Sequence, residues 1–561
     1  MQKPFYKKKL FKFLFAFLAL IIGMIVFFKL IVILSPPEVS DISATKLERT
    51  QIGENFYFVE DSWLKKNKYG LWELFVCGGD FELGAKNGIL TKELIEYQEE
   101  AFVERLKEMI PSDFYLNFLK YFISWFNKSI DEYIPIEYQK EIYGISFNAS
   151  AKYDFIAPNY HRLLNYHAAH DIGHTLQNLN LVACTAFGVK DSISEDNTLL
   201  VGRNMDFYSG DKFAENKIIA FYKPENGYNF AFITWGALIG VLSGMNDQGL
   251  TVTLNAAKSN IPSSAKTPVS VLARKILQYA STIDEAYEIA KNYETFVAES
   301  FLIASAKDRE FAIIEKSTEN IDLYKSNDDK IILTNHFQGE TFKNTELTIQ
   351  NRKESASVYR WEKTKELLIE KEKHDQYSFA AILRDRKGKN GKNIGMGNEK
   401  AINQLIAHHS VIFKPEQLQI WISTSPYQLG KYIAYNLKTV FAESLNYQKN
   451  VFDSSLTIVA DSFKNSEEYK NFIKFKETTK LLQQSFKQKS KKTFDEDFIE
   501  KYRKLNPEYY YTYFIIGEYY RHMNDNEKAI KFYNLALQKE IPRQDEMDLI
   551  IEMQKKVLEE N

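Results

Sequence analysis

From about residue 180 to 335 the chain runs through short apolar segments that suit strands and little else: "LVACTAFGV", "TLLVGRNMDF", "KIIAFYKP", "NFAFITW", "LIGVLSGMNDQGLTVTLNA", "FLIASAKDREFAIIEKS" and "KIILTNH". Many are β-branched or aromatic, and polar turns such as "EDN", "PENG" and "NDQG" separate them. Helical runs at 268–292 and roughly 355–385 supply cover, and residues 415–460 return to strands in "QLQIWIST" and "SSLTIVAD". Two groups of strands with helices around them predict an α+β layered sandwich. Hydrophobic residues are 45% of the 561 and aromatics 14%, enough for a large core in a chain expected to hold more than one folding unit. The 72 basic and 74 acidic residues leave a formal charge of -2, so no global field recruits nucleic acid; small ligands or neutral partners fit better.

The two ends read differently. Lys3, Lys7, Lys8, Lys9 and Lys12 precede the apolar run "FLFAFLALIIGMIVFF", followed by Lys29, "LIVIL" and a "SPP" stop. Counted from Phe13 to Leu34 this is 22 residues, which predicts one membrane-spanning helix if Lys29 snorkels to the interface. The lysines then keep the N-terminus cytoplasmic and put everything after Pro37 outside. A cleaved signal peptide is the rival reading, with a shorter apolar region and small residues at the cut. Residues 38–70 read as a polar tether, and "LWELFVCGGDFELGAKNG" as a strand, a glycine turn and a helix start; residues 91–144 are helical. At the other end, residues 463–500 read as solvated helix faces. Tyr513, Gly517, Tyr520, Ala529, Tyr533 and Ala536, with Pro542 after them, fit tetratricopeptide spacing once. A helical hairpin packed on the main domain fits equally, and a protein partner at this tail is the alternative use.

Cys184 and Cys77 are the only cysteines. Cys77 lies in an apolar strand and reads as packed; Cys184 has chemistry around it. A hairpin turning in "KDSISEDN" sets "VGRNMDF" beside its strand, so that Arg203 and Asp206 reach the thiol's surroundings across about 5 Å. An arginine there favours thiolate. No histidine is close in sequence to serve as base, and a disulfide between the two cysteines would consume the thiol.

"ACTAFGV" followed by "LLVGRNMDF" resembles the opening of the choloylglycine hydrolase and penicillin V acylase type of N-terminal-nucleophile hydrolase. Because some 180 residues precede the cysteine, the chain is more similar to the acyl-coenzyme A:6-aminopenicillanate acyltransferase family, whose members cut themselves before the cysteine. "DFELGAKNG", "IYGISFNAS", "GMNDQGLTVTLNAA", "ILTNHF" and "ASVYRWEKTKELL" continue the likeness in order, over roughly residues 70–445. The resemblance implies a four-layer αββα sandwich at 184–460, after an anchor at 1–37 and a tether and propeptide-like segment at 38–183, with a helical tail at 461–561. It implies scission at Ala183-Cys184, with the freed α-amine as general base. Asp206 would orient that amine, Arg203 would hold the sulfur, Asn255 and Asn335 would meet the oxyanion, and Arg360 would be a second active-site arginine. Alanine stands at 183 where many relatives have glycine, and a Cβ restricts the backbone there. The expected substrate is a small acyl amide or other acyl donor, with no cofactor; the product of the first half-reaction is an acyl-thioester, passed to water or to an amine.

"YHAAHDIGHTLQ" sets His167, His170 and His174 at i, i+3 and i+7, a spacing that could bind zinc. Gly173 interrupts that helix and Asp171 is the only near carboxylate. The segment reads better as packing against the cut, with His170 and Asp171 supporting it. His408 and His409 in "AHHSVIF" read as a passage from helix to strand near the core. Two other function classes stay open: a metal-dependent hydrolase using the His167/His170/His174 cluster, and a noncatalytic anchored scaffold.

Overall fold

The computed structural model describes residues 5–176, 183–207, 210–260, 262, 264–442, 450–487 and 493–559. Two sheets organise these residues, one of eleven strands and one of seven. In the smaller, Thr185–Val189 and Leu200–Met205 form an antiparallel hairpin, flanked by Lys330–Leu333 on one side and His409–Lys414 on the other. In the larger, Leu250–Ala256 pairs with Glu299–Ser305 in unbroken antiparallel register.

Alternation along the strands makes the layers. Val201, Phe221, Ile233, Leu302, Val411 and Ile422 share one buried cluster between the sheets. Their neighbours Phe187, Leu200 and Ile412 point the other way, onto Phe379 and Leu383 of the Gln376–Leu383 helix. On the outer face of the large sheet, Leu74, Ala220 and Val252 meet Leu90, Ile142 and Ile276, which lie on helices. Strands covered on both sides are apolar on both sides, which is why their sequences read as continuous runs. Local chemistry closes the elements: Thr282 and Glu285 form a reciprocal capping box at the Ile283–Lys291 helix, and Asp375 caps Gln376–Leu383.

The stretch expected to be a tether is part of the sheet. Thr50–Gly53, Phe56–Val59 and Ser62–Lys66 are strands leading into Trp72–Gly78, which pairs in parallel with Ile218–Pro224. Val59, Trp63 and Leu64 are buried there, and the short apolar runs "FYFV" and "WL" are set among charged and polar residues that hid them as strands.

The membrane anchor and single-pass placement are corrected. Among the described residues no helix is long and apolar enough to cross a membrane. The Phe5–Val32 helix has its uncharged stretch between Lys12 and Lys29, and those residues rise only about 24 Å against a hydrocarbon core of about 30 Å. Its far end rests on protein: Phe28 meets Tyr121 edge-on, and Val32 and Leu34 are buried.

The tail packs on the core. Helices Tyr510–His522 and Asn526–Leu537 form a hairpin, followed by Gln544–Glu559, and their buried faces share one cluster with Leu405 and Leu429 of the main body.

The glycines of "DFELGAKNG" and "IYGISFNAS" serve one close helix crossing. A Cβ at Gly84 would collide with the Glu141 carbonyl oxygen, and one at Gly144 would stand 2.5 Å from the Phe81 carbonyl oxygen. Gly84→Ala should therefore destabilise the fold by about 1–3 kcal/mol in thermal or denaturant unfolding, whereas Gly23→Ala, with open space around it, should change nothing measurable.

Candidate active site

Cys184 immediately precedes the Thr185–Val189 strand and is buried; both it and Cys77 are free thiols. The hairpin register pairs Thr185 with Asn204 and Ala186 with Arg203, and the Ala183 N-H donates to the Asp206 carbonyl at 2.9 Å, extending the ladder past the cysteine. Arg203 is thereby aimed at the sulfur, with Nη2 3.5 Å from Sγ. Its remaining N-H groups go to the large sheet: Nη1 to the Leu242 carbonyl at 3.1 Å and Ser243 Oγ at 2.8 Å, Nε to Asn255 Oδ1 at 3.4 Å, and Nη2 to the Leu254 carbonyl. His409, paired beside Met205, places Nε2 3.2 Å from Arg203 Nη1; burial and the adjacent arginine keep the ring neutral, so it accepts that bond.

Arg360, on the Ser357–Ile369 helix, holds the same segment from the opposite side. Nη1 donates to the Cys184 carbonyl at 2.5 Å and to Thr185 Oγ1 at 2.9 Å, and Nη2 to Asn335 Oδ1 at 2.7 Å. The two asparagines are engaged by backbone: Asn255 Nδ2 donates to the carbonyls of Leu333 and Thr334, and Asn335 Nδ2 to that of Ala256. Each amide thus bridges one sheet to the other. The Ala183 carbonyl instead accepts from Gln404 Nε2 at 3.0 Å.

Burial controls the charges. It pushes the Cys184 thiol above its ordinary value despite the opposing Arg203, so the thiol of the intact chain is neutral. It pushes the Asp206 carboxyl up to about 8 against the pull of Arg360 and Arg203, and neither carboxyl oxygen has a hydrogen-bond partner among the described residues. Glu299, buried on the strand beside Asn255, is pushed well above the ordinary carboxylate range by burial and by Asp171, with Arg203 opposing. Cys77 is half-buried, and burial and Asp61 raise its thiol to about 12, an unreactive state.

The histidine cluster is not assembled for metal in its described part. His167 spends both nitrogens, Nδ1 on the Leu163 carbonyl at 2.8 Å and Nε2 as acceptor for the Ile239 N-H at 3.1 Å. Asp171 accepts the Val269 N-H at the start of the Val269–Tyr279 helix. The side chains of His170 and His174 lie outside the described residues, and among those described no group of three ligands could hold a metal ion. Next to the site, Phe102, Tyr166, Met205, Phe213, Trp235 and Leu242 wall an apolar cavity. Glu99 also reaches it, but is committed to Arg162 at 2.6 Å.

Residues 193–425 match the sequence model of the family described as Acyl-coenzyme A:6-aminopenicillanic acid acyl-transferase. The core is similar to that family over 233 of the 561 residues. The acyl-transferase match begins nine residues after Cys184 and contains Arg203, Asp206, Asn255, Asn335, Arg360 and Gln404. Among curated proteins, an uncharacterized protein of Archaeoglobus fulgidus is 23% identical over 305 residues, covering 48% of this chain and 50% of that protein. An N-acylethanolamine-hydrolyzing acid amidase of Caenorhabditis elegans is 26% identical over 239 residues, covering 41% and 62%. The chain thus spans between a half and about three fifths of the length of these curated relatives. Among solved structures, the Caenorhabditis elegans ortholog of that amidase aligns at 19% identity over 42% of this chain and 93% of its own, with a TM-score of 0.30. A mutant of the conjugated bile acid hydrolase from Clostridium perfringens aligns at 14% identity over 48% and 94%, with a TM-score of 0.32.

Gln404, His409, Ser243 and Glu299 were not singled out as site residues by sequence reasoning. Each reaches the Ala183-Cys184 segment or Arg203 through pairing between distant segments, so a local pattern had no means of flagging them.

The state of Asp206 has a measurable sign. An unfolded aspartate loses its proton near pH 4, whereas the folded one keeps it to about 8, so folding becomes less favourable as pH rises between those values. In a Cys184→Ala background that keeps the chain whole, Asp206→Asn should raise the melting temperature. The gain should grow from pH 4 to 8 and be constant above; thermal unfolding across that range checks it.

Proposed function

We propose that this chain is a cysteine N-terminal-nucleophile amidohydrolase or acyltransferase that activates itself by cutting between Ala183 and Cys184. The general reaction, amide hydrolysis or acyl transfer, accords with the family of residues 193–425 and with the amidase relative. The observation that carries the finer reading is the convergence of two buried arginines on Cys184, Arg203 on its sulfur and Arg360 on its carbonyl, with Asp206 beside them lacking a hydrogen-bond partner for its carboxyl among the described residues.

That carboxyl is what a new N-terminus would need. Scission would free an α-amine whose reference pKa is about 7.7 to 8.0. Placed next to Asp206, whose own proton is held to about 8, the amine would exchange protons with it near neutral pH. The amine then takes the thiol proton, Arg203 stabilises the thiolate, and Sγ attacks the substrate carbonyl. The leaving amine collects the proton, and an acyl-thioester remains on Cys184. Water or a second amine accepts the acyl group. The cavity beside Met205 and Trp235 is aromatic and apolar, which suits a hydrocarbon acyl chain. Ala183 is accommodated in this arrangement, its N-H and carbonyl both bonded.

The purified chain should yield a 378-residue fragment beginning at Cys184 by intact-mass and N-terminal analysis. Cys184→Ala should abolish both the fragment and turnover of medium- or long-chain N-acyl amides, and chelators should leave turnover unchanged. An intact chain that turns over substrate at full rate would refute the amine-as-base mechanism.

A further inference from the structure

We propose that Gln404 is a catalytic residue of the self-cleavage step, the donor to the Ala183 carbonyl oxygen as it becomes an oxyanion, and that the C-terminal helices are the scaffold that holds it there. The inference rests on the reading of Cys184 as a self-cutting nucleophile.

The donors around the scissile bond are already allotted. Both asparagine amides are bonded to strand carbonyls, and Arg360 is on the carbonyl of Cys184, one residue too late. The Ala183 oxygen has Gln404 Nε2 at 3.0 Å, in a fully buried contact. When Sγ attacks the Ala183 carbonyl carbon, negative charge collects on this oxygen. The thiol proton passes to the Cys184 nitrogen, the C-N bond breaks, and Ala183 is left as a thioester on Sγ. Water then hydrolyses the thioester to an Ala183 carboxylate, a free thiol and a free α-amine. A neutral amide donor in a dry site lowers the charged intermediate without itself needing a proton.

Gln404 cannot hold this position by its own side chain, because its Oε1 is buried without a partner among the described residues. Its backbone must be fixed, and residues 394–405 form no regular element that would fix it. The tail supplies the hold. Asn506 clamps Met396 at both its N-H and carbonyl, at 3.0 and 2.9 Å. Asn398 Nδ2 donates to the Glu540 carbonyl at 2.8 Å, Lys400 pairs with the Glu540 carboxylate at 2.8 Å, and Arg543 binds Glu399 at 2.5 Å. Gly395, at φ +81, lies so close to Tyr509 that a Cβ would meet its backbone at 2.5 Å. The opposite edge is tied to the nucleophile hairpin, where Asn204 Nδ2 donates to the Ile402 carbonyl at 2.9 Å. Asn506, Glu540 and Arg543 are thus positioning residues.

The test follows appearance of the 378-residue fragment by intact mass in the full chain and its variants, with melting temperature measured alongside. Gln404→Met should slow scission about 100-fold or more at an unchanged melting temperature. Gln404→Glu should restore a donor only when protonated, so its scission should speed up as pH falls, across a pH range in which its melting temperature shows the chain folded throughout. Arg543→Met should slow scission and Arg543→Lys should recover most of the rate. Wild-type scission with Gln404→Met at the wild-type rate, or Gln404→Glu without the pH dependence, overturns the role of Gln404 and leaves the proposed function standing. Arg543→Met at the wild-type rate overturns the scaffold role. A wild-type chain that never cuts removes both readings, and the unmodified protein alone reveals that.

Discussion

Two guanidinium groups with no access to solvent fix the centre of this protein. A buried arginine is costly unless most of its N-H groups are matched, because an unpaired buried charge costs several kcal/mol. Arg203 satisfies itself across the gap between the sheets, on Leu242, Ser243, Leu254 and Asn255. Arg360 places its two Nη groups on Cys184, Thr185 and Asn335, while its Nε has no hydrogen-bond partner among the described residues. Cys184 therefore sits where the packing of both sheets and of the Arg360 helix must agree, and small shifts in any layer would strip a cation of its partners. The same pairings that hold the charges determine where the thiol can be.

Much of this could be read from the residues. Short apolar segments separated by polar turns announced the strands, and the spacing of Cys184 from Arg203 and Asp206 announced the hairpin. The misreadings have physical causes. Strands at 50–66 are held by pairing with neighbours and by a few buried side chains such as Trp63, so composition made them look like a tether. The N-terminal run reaches bilayer length only when Lys29 is counted, and the uncharged part alone falls short. Gln404 and His409 lie some two hundred residues from Cys184 and come to the site by a loop crossing and a strand pairing that no local period encodes.

The electrostatics of the intact chain and of the proposed cut enzyme pull in different directions. With the peptide whole, a neutral thiol and a protonated Asp206 are the forms that a dry interior permits. A new ammonium beside Asp206 would reverse that preference by giving the carboxylate a partner. The chain would in this way carry its nucleophile in an inert protonation state until the backbone is opened.

The parallel pairing of Trp72–Gly78 with Ile218–Pro224 has a mechanical consequence. Everything from Thr50 to Gly78 contributes edge strands to a sheet whose remaining strands come after Cys184. A severed backbone would therefore leave two polypeptides interlocked as one body, separable only by tearing a continuous hydrogen-bonded sheet and its core. The leading piece would persist as a permanent subunit rather than diffuse away as a discarded leader.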